Sequence, residues 1–77
     1  MMRREDFEQA MTAMLKRQPF RPFVIEMDDG EQLVVGQPEA VHHHAGSAVY
    51  FRPHGYFDFV DPEDVKQLLE LEIVQPK

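Results

Sequence analysis

The sequence predicts a mainly β domain, one N-terminal helix followed by a five-stranded small barrel. Three observations carry this. Apolar residues recur at helical spacing only before residue 18, short period-2 runs follow residue 20, and Gly- or Pro-containing turns punctuate those runs. An α+β two-layer sheet is the alternative that the same pattern allows. The 77 residues make one domain, with the helix over 4–17 and the barrel over 20–74. A chain this short buries only roughly 60–65% of its unfolded surface, which favours association with copies or partners.

Residues 4–17 form the helix. Phe7, Ala10, Met11, Met14 and Leu15 lie on one stripe, which is expected to cover one opening of the barrel. Glu5, Asp6 and Glu8 near the start and Lys16 and Arg17 near the end follow the helix dipole. No Ser or Thr offers a cap, so the first turn is expected to fray. Pro19 and Pro22 end the helix and hold the chain extended into the first strand.

The first hairpin has a definite register. A two-residue Asp29-Gly30 turn would set Ile25 against Val34 and Glu26 against Leu33, mixing core and solvent residues on one face. A three-residue loop Asp28-Asp29-Gly30, with Gly30 at positive φ as a G1 bulge, pairs Ile25 with Leu33 and Phe23 with Val35. The second register is the consistent one. Gly36-Gln37-Pro38-Glu39 then breaks the ladder, Val41–Ala45 is a weak strand, and Ala45-Gly46-Ser47 turns the chain. Strands over 48–52 and 56–60 are expected to point Val49, Phe51, Phe57 and Phe59 inward. Asp61-Pro62-Glu63-Asp64 reads as a helical start with Asp at the cap and Pro at N1. Leu69, Leu71 and Ile73 at period 2 favour a single 3₁₀ turn and a last strand over a helix from 62 to about 71. The expected core is therefore Phe23, Ile25, Leu33, Val35, Val49, Phe51, Phe57, Phe59, Leu69 and Leu71, closed by Phe7 and Met11.

A helix, about five short strands and a one-turn helix before the last resembles the SH3-like barrel of Sm- and Hfq-type proteins. Pro19-Phe20-Arg21-Pro22-Phe23, the Asp29-Gly30 turn and Pro38-Glu39 also resemble a group of short bacterial proteins of unknown function. The Sm resemblance implies ring assembly and RNA binding through polar and basic loops. The stretch that would correspond to the Lys-His signature, Phe59-Val60-Asp61-Pro62, has neither residue.

Charge bears on the same question. The net charge is −6, but residues 1–22 balance at +2 and the remainder at −8. An acidic barrel repels phosphate backbones. Nucleic-acid binding is thus the alternative reading, carried by Arg3, Arg4, Lys16, Arg17 and Arg21. The absence of cysteine excludes disulfides and thiolate metal sites and fits a reducing, cytoplasmic setting. No apolar run approaches a bilayer span, and Met1-Met2-Arg3-Arg4 is not followed by a signal-peptide core.

Candidates for chemistry are sparse. His42 and His44 share one side of a strand and form a weak metal pair, to which Glu39 could add a ligand. The carboxylates fall in turns and on solvent-facing positions, Ser47 has no nucleophile elbow around it, and no glycine-rich phosphate loop exists. No enzymatic activity and no cofactor are expected. Tyr50, Tyr56, Val60, Leu68 and Val74 are expected to face outward as a protein-contact surface with few cations. The reading is a non-catalytic interaction or assembly module, homo-oligomeric through the edges of the 48–52/56–60 hairpin and of 68–74.

Overall fold

The computed structural model describes residues 1–71, and Val74 and Ile73 lie outside them. Among these residues, helix α1 (Arg4–Leu15) precedes six strands: β1 (Phe23–Met27), β2 (Gln32–Val35), β3 (Val41–His44), β4 (Ser47–Phe51), β5 (Phe57–Val60) and β6 (Val65–Glu70). They form two three-stranded antiparallel sheets, ordered β2-β1-β6 and β3-β4-β5. The expectation of a closed five-stranded barrel is corrected on both counts. Gly36 and a 3₁₀ turn at Pro38–Ala40 interrupt the path from β2 to β3 where the sequence predicts a break, but the two strands then join different sheets instead of closing one barrel. Pro38 has no N–H to give a ladder, which is why pairing stops there.

The first hairpin has the expected register. Ile25 pairs with Leu33 and Phe23 with Val35, and Gly30 sits at φ +92°. The Gly30 N–H donates to the Met27 carbonyl at 3.0 Å, the Met27 N–H to Glu31 at 2.8 Å, and Asp29 Oδ1 accepts the Glu31 N–H. Helix α1 stops two residues short of the expected end and starts, as expected, without a side-chain cap at Arg3. The Asp61 side chain caps a 3₁₀ turn at Pro62–Asp64 by accepting the Glu63 N–H at 3.0 Å. Strand β6 follows directly, beginning at Val65.

Phe7 and Met11 of α1 meet Phe23, Ile25, Leu33, Val35, Val41, Ala48, Val60 and Val65 in one buried cluster. Six of the twelve expected core residues are therefore in place: Phe7, Met11, Phe23, Ile25, Leu33 and Val35. The other half of the expectation is overturned. Phe51, Phe57 and Phe59 are 47%, 55% and 80% exposed, Leu71 is exposed beyond the end of β6, and Val49 and Leu69 are only half-buried. Val60, expected outside, is buried, and Tyr50 and Leu68 turn toward the core and pack on it.

The cause is parity. Ala45 and Gly46, at φ 53° and 80°, make a two-residue turn of the I′ kind that pairs Val41 with Tyr50 and His43 with Ala48. With Val41 inside, Tyr50 and Ala48 must be inside. The pairing of Tyr50 with Asp58 and Ala48 with Val60 then carries the same parity into β5. Small Ala48 suits a core already filled by Phe7, Met11 and Phe23. Two hydrogen bonds and an ion pair tie the elements across: Tyr50 OH donates to the Val34 carbonyl at 2.7 Å, the Asp28 N–H donates to the Asp64 carbonyl at 2.8 Å, and Arg52 meets Glu31 at 3.5 Å.

Candidate functional site: an aromatic face without lysine or arginine along a strand edge

β3, β4 and β5 turn two different faces to their surroundings. Val41, His43, Ala48, Tyr50, Asp58 and Val60 point to the core side. The opposite face carries cross-strand rows: His42, Val49 and Phe59 in one, Phe51 and Phe57 in the next, with His44 opposite Ser47 beyond. None of those seven residues is a carboxylate, lysine or arginine. Phe57 and Phe59 stand edge to face with ring centroids 5.6 Å apart. At roughly 200 Å² per ring, the exposed parts of the three phenylalanines amount to about 350 Å². That matches the largest apolar patch of many ordinary monomers, on a much smaller molecule.

Among the described residues, β5, which carries Phe57 and Phe59, has β4 on one side and no strand on the other. The apolar face and an open row of backbone donors and acceptors therefore coincide. Behind β5, Asp58 pairs with Arg52, whose guanidinium lies 5.6 Å from the Tyr50 ring centroid and also meets Glu31. The hydrogen bond with Asp58 raises the Arg52 pKa further above its ordinary value, so the cation is permanent. An open cleft of about 550 Å³ lined by Val34, Gly36, Gln37, Tyr50, Phe51 and Arg52 adjoins the face at Phe51.

Of the contact surface expected from sequence, Tyr56 is exposed as expected, at 71%. Val60, Tyr50 and Leu68 belong to the core side, and Val74 lies outside the described residues. The exposed surface is instead built from Phe51, Phe57 and Phe59, which the sequence predicts inside. The Ala45-Gly46 turn was the signal that could have found them. A two-residue turn there, with Val41 inside, sends every odd-numbered residue of β4 and β5 outward.

His42 and His44 do share a side of β3, beside Val49 and Phe59, lining a shallow 150 Å³ hollow. Among the described residues no three His, Cys, Asp or Glu side chains are grouped to hold a metal ion. His43 points the other way, its Nδ1 3.0 Å from Glu8 Oε1, while Glu8 Oε2 accepts the Gly46 N–H at 3.0 Å. These bonds, the one with His43 first, hold the Glu8 carboxyl below its ordinary pKa. The basic residues are not gathered. Arg3 and Arg4 sit at one end of the 12-residue helix, about 18 Å long, and Lys16 and Arg17 at the other, and Arg17 is paired with Glu70. Arg21 is exposed between the helix and β1.

No family model, curated protein or solved structure matches this chain. Among the described residues no helix is long and apolar enough to cross a membrane.

Proposed function

We propose that the chain is a non-catalytic assembly module that binds an extended, apolar protein strand along the open edge of β5. The single observation that carries this is the coincidence of Phe57 and Phe59 with a strand edge that is unpaired among the described residues. Strand addition uses both halves of such a site. The incoming backbone completes the ladder, and its alternate side chains pack on Phe57 and Phe59. A face without lysine or arginine suits apolar protein better than a phosphate backbone, which needs Lys or Arg to displace its counterions. The carboxylate–histidine pair of Glu8 and His43, the nearest thing here to acid–base machinery, is engaged in holding α1 against the β3–β4 turn.

Kinship with Sm-type small barrels is part of this proposal rather than a separate one. Its support is the helix at the start and the 3₁₀ turn before β6. RNA binding by Arg3, Arg4, Lys16, Arg17 and Arg21 is the competing reading, and a salt titration with a single-stranded oligonucleotide tests it. Affinity that falls steeply with salt would favour it. The test of strand addition is a labelled peptide with the sequence of residues 55–62. Saturable binding is expected, weakened roughly tenfold or more by Phe59→Glu in the protein. Equal binding by wild type and Phe59→Glu would overturn the assignment of the site.

A further inference from the structure

We infer that the strand received by β5 is β5 of a second copy, paired antiparallel about a two-fold axis at Asp58; this rests on the strand-addition reading above. A symmetric antiparallel pair keeps each face continuous only if opposed residue numbers sum to an even number. That leaves three centres near the middle of the strand. Centring on Phe59 sets Tyr56 against Pro62, which has no N–H, and Phe57 against Asp61, already engaged as a cap. Centring on Phe57 sets Phe59 against Gly55 and Val60 against His54, both at positive φ in the preceding turn. Centring on Asp58 keeps every pair within Tyr56–Val60: Tyr56 opposes Val60 of the other copy, and Phe57 opposes Phe59. Only this register keeps every pair within β5 and the extended Tyr56 that precedes it.

It also places the rings where they are missing neighbours. Phe59, the most exposed ring of the face, gains the other copy's Phe57 on its bare side, and the two-fold repeats the contact. The apparent objection is that two Asp58 side chains meet at the axis. Each is already paired with Arg52 of its own chain, so two compensated ion pairs meet rather than two bare carboxylates. The product is a continuous six-stranded sheet with no open β5 edge.

The chain lacks cysteine, which makes single-cysteine crosslinking clean. Residues facing each other across an antiparallel pair have Cα atoms about 4.5–5.5 Å apart, within disulfide range. Diagonal neighbours lie at roughly 7–8 Å, outside it. Asp58→Cys is therefore expected to form a disulfide dimer on mild oxidation. Phe57→Cys and Phe59→Cys alone are not, but a mixture of the two is, and that mixture leaves the Asp58–Arg52 pair intact should Asp58→Cys fold poorly. Sedimentation of wild type at micromolar concentration is expected to show a dimer that Phe59→Glu converts to monomer. A monomeric wild type that still binds the labelled 55–62 peptide would overturn self-pairing and leave strand addition standing. A monomer that binds no peptide would remove both. A dimer crosslinked by Phe59→Cys alone, and not by Asp58→Cys or the mixture, would overturn the register.

Discussion

Ile25 and Ala45 stand at the two extremes of what one residue does here. Ile25 is fully buried at the centre of the β2-β1-β6 sheet, opposite Leu33 on one side and Leu68 on the other. Ile25→Ala is expected to cost about 2–5 kcal/mol, read as a fall in the denaturation midpoint at unchanged slope. Ala45 is exposed at φ 53°, a conformation in which a Cβ is strained. Ala45→Gly is expected to raise stability by about 0.5–1 kcal/mol, because relief of that strain exceeds the added chain entropy. Gly30 gives the converse test at φ +92° with open space around it. Gly30→Val should lower the melting temperature clearly and Gly30→Asn only slightly, since conformation and not crowding sets the cost. Equal losses would mean that the loop does not require positive φ.

At the scale of elements, α1 is held by its apolar stripe and by one polar clamp. Phe7 and Met11 supply the burial, and Glu8 bonds His43 on β3 and Gly46 in the turn. Because Gly46 is the second residue of the turn that sets the parity of β4, the clamp steadies the element that decides which face is outside. Its pH dependence follows from the lowered Glu8 pKa. A carboxylate bound more tightly when ionised stabilises the fold fully above its unfolded pKa of about 4.5, and the contribution disappears as pH falls through the lower folded value. His44 adds a weaker attraction from the neighbouring position on β3. Glu8→Gln should therefore be less stable than wild type near neutral pH and indistinguishable from it in acid. Urea midpoints measured across that range check it, and a gap that persisted at low pH would point to lost packing instead.

For the whole molecule, the decisive property is that a small core left three phenylalanines outside. At 77 residues, the inner face accommodates Phe7, Met11 and Phe23 with Val41, Ala48 and Val60 opposite them, and the larger side chains of β4 and β5 turn outward. A bare aromatic edge strand of this kind invites association. The apparent mass should therefore rise with protein concentration and fall in Phe59→Glu. Tyr56→Ser, at an exposed position beside β5, should have a smaller effect than Phe59→Glu. Sedimentation of the three proteins side at equal concentration ranks them, and equal masses would leave the exposed rings without an assembly role.

What the amino-acid order determined by itself is local. The Asp28-Asp29-Gly30 loop, the register of Phe23, Ile25, Leu33 and Val35, the Asp61-Pro62 turn and the helical stripe of Phe7 and Met11 all follow from interactions within a few residues or one hairpin. The faces of β4 and β5 could not be read that way. Both alternating sets, Val49, Phe51, Phe57 and Phe59 or Ala48, Tyr50 and Val60, contain apolar side chains, and hydrophobicity alone favoured the larger one. The choice was made by the parity of the Ala45-Gly46 turn acting through Val41, and by the space that α1 left over the sheet. The split into two sheets was likewise a tertiary outcome: the break at Gly36–Ala40 is legible in the sequence, but the pairing of β6 with β1 and of β5 with β4 decides which sheet each strand joins. Side-chain period is a local quantity. Which side of a strand is the inside is settled only when another element arrives to cover it.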